Sequence, residues 1–295
     1  MLGFIISTMK FLRSLILILV LTSCNRVGVP EATPTPAEPT PVPATPTPTP
    51  LPPALTINGV AISQAEFDAQ MQQITAAAST LGKTLTADEM RSLVTAEFTD
   101  QVLLAEAAAK EGFVATDQIV EEALNKLVAE GANLKAWKAA NGYSDESFKA
   151  AMQRMVAVSW MRDKIIGAVP ENMEQIRAQQ ILANDQATAD RVISRLSNGE
   201  LFADLALRYD PVKAGMLGWF PRGYLTQPKV EEVAFGLQPG EYSQPVQTDF
   251  GFHIIYVIDR VADRPLEADA RLTLQKEAMQ KWLEAARATV VITQP

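Results

Sequence analysis

The sequence is poor in the two residues that most often bind metals or form covalent links. Cys24 is the only cysteine and His253 the only histidine among 295 residues. A single cysteine cannot form a disulfide within one chain, so oxidising conditions leave the fold unchanged. His253 lacks the Cys or His partners that a zinc site requires. We therefore expect no metal and no cofactor.

The sequence also lacks any run of basic residues, and its net charge is negative. It has 26 Lys and Arg against 34 Asp and Glu, a formal charge of −8. If the N-terminal segment that contains Lys10 and Arg13 is removed, 24 basic residues remain against 34 acidic ones, and the formal net charge is −10. Such a chain repels phosphate backbones, so nucleic acid is not an expected partner.

The N-terminus has the order of a secretory signal peptide. Lys10 and Arg13 form a short positive segment, residues 14–21 are almost entirely Leu, Ile and Val, and small residues follow. The apolar stretch is too short to span a membrane as a mature helix. Met1 and Met9 are both candidate starts. The alternative is an ordinary apolar helix with a buried thiol.

The signal ends in Leu21-Thr-Ser-Cys24, which resembles the lipobox of bacterial lipoproteins. The resemblance implies that residues 1–23 are removed and that Cys24 is lipidated, which anchors the chain to a membrane outside the cytoplasm. Residues 24–53 are rich in Pro and Thr and cannot bury a core. They fit a semi-rigid polyproline II stalk, or a disordered tail without a fixed reach.

Residues 54–171 have the periodicity of a helical domain. Ser63 with Glu66, and Thr86 with Glu89, form two capping boxes that open helices. The pattern predicts a strand at 54–57, helices that start at 63 and 86, a third helix near 116–129 and a fourth from 144 to 167. Methionine and aromatic residues at helical spacing fit either a core face or an adaptable surface for apolar clients.

The character of the sequence changes at about residue 172. The pattern predicts a compact α+β domain over residues 172–262, followed by a closing segment over 263–295. The predicted strands are 179–183, 252–259 and 289–293; the predicted helices are 187–196, 201–209, 228–237 and 266–288; and 215–223 is predicted as a glycine-punctuated loop. The strand at 252–259 is apolar on both faces, which is typical of a central strand.

Several stretches of this second region resemble the parvulin family of peptidyl-prolyl cis-trans isomerases. They include Gly199-Glu-Leu-Phe-Ala-Asp-Leu-Ala206, Gly215-Met-Leu-Gly-Trp-Phe220 and Thr248-Asp-Phe-Gly-Phe-His-Ile-Ile255, in the family's order over about 90 residues. With the helical region and the closing helix, the chain resembles the PrsA and SurA group of foldases, whose first strand and chain end share one domain. The resemblance implies that 55–57 pairs with 290–292 and that 263–295 packs on the N-terminal domain.

The resemblance also implies an active site. Its catalytic residues are expected to be His253, Gln180 and Asp210, with Gln180 in place of the family's second histidine. The residues expected to bind the proline substrate are Leu217, Thr226, Gln227, Val230, Phe235 and Thr248. The residues alone leave two alternatives open, namely His253 as a satisfied core residue of a strand and Asp210 as a turn residue.

The function that the resemblance implies is that of a membrane-tethered, extracytoplasmic peptidyl-prolyl isomerase. Its partners are expected to be unfolded exported polypeptides that contain X-Pro bonds. Thr226 and Val230 replace the Met and Phe usual in the family, which removes roughly 80 to 120 Å² of apolar contact, or about 2 to 3 kcal/mol of proline binding. We therefore expect reduced activity, and a chaperone that keeps the fold without catalysis is the alternative. No sequence feature specifically favours a third hypothesis, a structural lipoprotein without clients.

Overall fold

The computed structural model describes residues 52–293, so the predicted signal peptide, Cys24 and nearly all of the predicted linker lie outside the described residues. The chain forms two compact units. Within the described range, residues 52–161 and 285–293 form the helical unit, and residues 162–284 form the mixed unit. Among the described residues, no helix combines the length and the apolar character needed to cross a membrane.

Seven strands and nine helices make up the described part of the chain. In chain order they are β1 (Leu55–Ile57), β2 (Val60–Ile62), α1 (Gln64–Thr80), α2 (Ala87–Lys110), α3 (Asp117–Ala129), α4 (Leu134–Ala140), α5 (Asp145–Gly167), β3 (Asn172–Ala183), α6 (Gln186–Ser197), α7 (Phe202–Tyr209), β4 (Met216–Pro221), α8 (Pro228–Gly236), β5 (Val246–Thr248), β6 (Gly251–Pro265), α9 (Ala268–Arg287) and β7 (Ile292–Thr293).

Both predicted capping boxes are present at the starts of α1 and α2. The Ser63 hydroxyl accepts the backbone N–H of Glu66, and the Glu66 carboxylate accepts the backbone N–H of Ser63. Thr86 and Glu89 make the same reciprocal pair. The pattern of the helical region missed α4, which spans only 7 residues and is therefore too short for a clear helical period.

A small three-stranded sheet of order β2-β1-β7 belongs to the helical unit. β1 pairs with β7 through Thr56 opposite Thr293 and Ile57 opposite Ile292, which confirms the predicted pairing of the first strand with the chain end. Its inner residues pack on α1 and α2 in one core. The buried members of that core are Leu55, Ile57, Ile62, Phe67, Val94, Phe98 and Val102.

The mixed unit is built on an antiparallel sheet of order β4-β3-β6-β5. One face of this sheet packs against α6 and α7 through a core that includes Ile181, Val192, Leu205 and Ile254. The opposite face packs against α8 through a second core that includes Ile176, Phe220, Val230, Phe235 and Ile255. β6 lies between β3 and β5 and is buried on both faces, as its apolar sequence predicted. The mixed α+β architecture is the predicted one.

The segment predicted as a glycine-punctuated loop contains a strand, so that prediction was wrong for residues 216–221. Gly215 and Gly218 have φ of +66° and +76°, which accounts for the turn-like pattern of the sequence. Pairing with β3, as in Ile176 opposite Phe220, nevertheless imposes a strand on the residues between and after them. Tertiary pairing overrides the local signal here.

The boundary between the units differs from the predicted one. The sequence predicted limits at 171/172 and 262/263, whereas the compact units divide at 161/162 and 284/285. The physical reason for the later second limit is a contact made by α9. The Tyr224 hydroxyl, in the loop after β4, donates to Asp269 in the first turn of α9. The packing of residues 263–295 on the N-terminal domain stays a prediction.

Candidate active site

The only histidine of the sequence lies in the middle of the mixed unit. His253 is in β6 and is 5% exposed. Its side chain shares a face of the sheet with Ile255 and Val257, because alternate residues of a strand point the same way. These two residues belong to the core beneath α8, so the imidazole lies at the edge of that apolar cluster.

His253 is the centre of a hydrogen-bonded chain across three neighbouring strands. Its Nδ1 lies 2.8 Å from the amide oxygen of Gln180 in β3. Its Nε2 lies 2.8 Å from the hydroxyl of Thr248 in β5. Gln180 and Thr248 are each diagonal neighbours of His253 in the two strand pairs, which is the arrangement that brings side chains on one face within reach.

The partners of His253 define its protonation. Because the amide oxygen of Gln180 can only accept, Nδ1 carries the proton and donates to it. Nε2 of the neutral ring is then an acceptor, and the Thr248 hydroxyl donates to it. Burial lowers the pKa of His253 below its ordinary value, which keeps the imidazole neutral at neutral pH.

Asp210, the third predicted catalytic residue, organises the loop between α7 and β4. One carboxylate oxygen accepts the backbone N–H groups of Val212 and Lys213, and the other accepts that of Gly215. Hydrogen bonds from these backbone groups lower the pKa of Asp210. The carbonyl of Gly215 in turn accepts the backbone N–H of Gln180 at 2.9 Å, so Asp210 connects to His253 through two intermediates.

The predicted apolar substrate residues come together in the core beneath α8. Val230 and Phe235 are 2% and 4% exposed, and Leu217 packs against the same cluster while partly exposed. The Phe235 ring stands edge-on to Phe220, with centroids 5.9 Å apart. Of these three predicted contacts for a proline ring, Leu217 therefore presents the most accessible surface.

Thr226 and Gln227 lie in the loop between β4 and α8, which we call the pocket loop and define as residues 222–227. Thr226 is exposed, and Gln227 is the half-buried residue that precedes α8. Glu231, in the first turn of α8, holds this loop through backbone N–H groups of the loop itself. Sequence reasoning missed Glu231. An acidic residue in the first turn of a helix, just after a glycine-containing loop, was the signal available for it.

Two family models match the chain. The PPIC-type PPIase domain, described as Rotamase, matches residues 165–259, and the SurA-like N-terminal domain matches residues 52–154. The first match contains Gln180, Asp210 and His253 together with every predicted substrate residue.

The curated relatives of the chain include proteins named foldase protein PrsA. The chain is 35% identical over 161 residues to a foldase protein PrsA of Caldanaerobacter subterraneus, covering 52% of each chain. It is 46% identical over 91 residues to a PrsA of Geobacillus kaustophilus, covering 29% of this chain and 32% of that one. A Bacillus cereus PrsA structure, a peptidylprolyl isomerase, is 23% identical with a TM-score of 0.46 and covers 79% of this chain and 86% of that one.

The chain spans about a third to a half of the length of most of the curated relatives it matches. Within that span, the hydrogen-bonded chain and the apolar cluster both lie in the segment that the PPIase model covers. The chain therefore contains a PPIC-type peptidyl-prolyl isomerase domain, of the parvulin kind, at residues 165–259 and a SurA-like N-terminal domain at residues 52–154.

Proposed function

We propose that this protein is a peptidyl-prolyl cis-trans isomerase that acts on X-Pro bonds of unfolded, exported polypeptides. The observation that supports this most directly is the chain Gln180–His253–Thr248, buried beside an apolar cluster. The relatives named foldase protein PrsA support a role in folding other proteins. The proposed catalytic residues are His253, Gln180 and Asp210.

The reaction needs no nucleophile. Rotation about an X-Pro amide must overcome a barrier of about 18 to 20 kcal/mol that arises from resonance in the C–N bond. A site lowers this barrier when it binds the twisted amide better than the planar one. Here Leu217 and the cluster behind it would hold the proline ring, while the neutral His253 and Thr248 supply polar contacts that carry no net charge.

The same geometry supports weak activity. Val230 and Phe235 are almost fully buried, and the neighbouring Thr226 offers a hydroxyl and one methyl group where a longer apolar side chain would cover more of a proline. This favours a second candidate function, a chaperone that binds extended chains on the parvulin fold with little catalysis. The two candidates share the site and differ in turnover.

An isomerisation assay on an X-Pro tetrapeptide distinguishes the two. We expect the full chain to accelerate isomerisation and His253→Ala to lose most of that acceleration. Gln247→Ala, an exposed residue of β5, is the matched control and should retain wild-type rates. A wild-type rate equal to that of buffer contradicts the enzyme. Suppression of client aggregation by the same inactive preparation then supports the chaperone.

We further propose that Cys24 anchors the protein to the outer face of a membrane and that residues 24–53 act as a spacer. The lipobox-like sequence supports the anchor, and the Pro and Thr content supports the spacer. Tethering raises the local concentration of a weak binder around emerging chains. Labelled fatty acid should be incorporated into the wild type and not into Cys24→Ser, and equal labelling of both contradicts the anchor.

A further inference from the structure

We infer that the first turns of α9 and the first turn of α8 form a clamp that positions the pocket loop, with Glu231, Tyr224 and Asp269 as its positioning residues. The inference rests on the proposed function, because the pocket loop carries the predicted substrate residues Thr226 and Gln227. It extends the working isomerase site to a helix that lies beyond residue 259, where the match to the family model ends.

One side of the clamp is a single carboxylate. Glu231 accepts the backbone N–H of Gly223 on one oxygen at 2.7 Å, and those of Tyr224 and Leu225 on the other, each at 3.0 Å. Three successive amides of the loop thus converge on one side chain. Charge-assisted hydrogen bonds of this kind are stronger than neutral ones, so they hold the loop backbone against α8.

The other side of the clamp is α9. The Tyr224 hydroxyl donates to the Asp269 carboxylate at 2.8 Å, and this hydrogen bond raises the pKa of the Tyr224 phenol. Gly223 has φ of +85°, and a Cβ there would lie 2.6 Å from Glu277 Oε2 and 2.9 Å from Leu274 Cδ2. The loop backbone therefore passes close to the side chains of Leu274 and Glu277 in α9, and its positive φ at this point favours glycine.

The loop has little freedom between these two sides. Residues 223–225 are fixed by α8 and α9, and Thr226 and Gln227 follow directly before the helix that contains Val230. Displacement of the loop would move Thr226 relative to Leu217 and the cluster behind it. We therefore expect the clamp to affect substrate binding more than the chemical step, since His253 and its partners lie on strands outside the clamp.

The test uses the full chain with two variants of different severity. Glu231→Gln places an amide NH₂ against a backbone N–H and should raise KM for an X-Pro tetrapeptide about three- to tenfold, with kcat and the pH profile unchanged. Tyr224→Phe removes one hydroxyl, so it should raise KM about two- to threefold without loss of thermal stability. Glu232→Gln and Asp263→Asn make matched charge changes at exposed positions and should leave KM unchanged.

Amide hydrogen exchange provides a readout that does not depend on activity. Exchange at Gly223, Tyr224 and Leu225 should be faster in Glu231→Gln, and exchange at Leu225 faster in Tyr224→Phe, while amides of β3 and β6 keep their protection. If the wild type proves inactive, the proposed function fails, but amide hydrogen exchange still tests whether the clamp holds the pocket loop. If hydrogen exchange at these amides is unchanged in both variants, the clamp is overturned. The clamp is also overturned if the wild type is active and the KM of Glu231→Gln stays within twofold of that of the control variants.

Discussion

The Nδ1 atom of His253 and the amide oxygen of Gln180 lie 2.8 Å apart across the β3–β6 pair. Gln180→Leu should leave a buried imidazole N–H without its acceptor, which costs about 1 to 3 kcal/mol. We expect kcat/KM on an X-Pro peptide to fall about tenfold, because the ring loses its tautomer and orientation together. The exposed Gln247→Leu is the control. Wild-type kcat/KM in Gln180→Leu contradicts this role for Gln180.

The stability of the mixed unit should depend on pH through His253. Burial lowers the pKa of this residue, so below its ordinary value of about 6.5 the unfolded chain binds a proton that the folded chain does not. The contribution of the buried, neutral His253 to the free energy of unfolding is therefore fully present above about pH 6.5. It is lost as the pH falls towards the lowered pKa of this residue. Urea unfolding at a series of pH values should show this loss in the wild type and not in His253→Gln. Identical pH slopes for both proteins would exclude it.

Gly215 is predicted to tolerate no side chain. A Cβ at this position would overlap the carbonyl oxygen of Gln180, and its φ of +66° is unfavourable for alanine. Gly199 has φ of +91° but open space around it, so Gly199→Ala measures the backbone strain alone, about 1 to 2 kcal/mol. We expect Gly215→Ala to cost about 1 to 3 kcal/mol more than that in urea unfolding. Equal costs for the two variants would show that β3 and β4 can separate freely.

A buried ion pair joins α1 to α5 in the helical unit. Arg154 contacts Glu66 at 2.6 Å, with side chains 11% and 6% exposed. Arg154→Met leaves the Glu66 carboxylate buried without its partner and should destabilise the unit by about 3 to 5 kcal/mol. Adding Glu66→Gln, which keeps the amide oxygen for the Ser63 cap, should restore much of that loss. Thermal unfolding of the single and double variants tests this, and no recovery in the double variant would refute it.

Thr226 should be a position where activity can be gained. Its side chain is exposed in the pocket loop, and Thr226→Met would add about 50 Å² of apolar surface for a bound proline to cover, worth about 1 kcal/mol. We expect kcat/KM to rise about fivefold, mainly through KM. Lys229→Met, at an exposed position of α8, controls for added hydrophobicity. A gain in both variants would mean that the effect is not specific to the pocket.

The sequence predicted the parts of the fold that depend on local chemistry. The capping boxes at Ser63 and Thr86 fixed the starts of α1 and α2 because both partners lie three residues apart. The parvulin pattern placed Gln180 and His253 in one site, and the structure joins the two side chains by a hydrogen bond.

Features that depend on distant partners could not be predicted in the same way. β2 and β5 have three residues each, too few to show alternation, and exist through pairing with β1 and β6. The hydrogen bonds of Asp210 favour the turn role that the sequence left open, and its catalytic role stays a prediction. Glu231 carried no distinctive motif, because its three acceptor contacts arise only when the loop folds back on α8.

The pairing of β1 with β7 has a consequence for the order of folding. Asn58 and Val291, 233 positions apart in the chain, exchange hydrogen bonds of 2.9 Å at the end of this pair. During synthesis, β1 cannot complete its pairing until β7 has been made. Residues 162–284 form a continuous segment, so the sheet of the mixed unit can form before that. The isomerase domain would then already be folded while the unit that encloses it in sequence is still open, and loss of the final few residues would leave β1 without one of its neighbours.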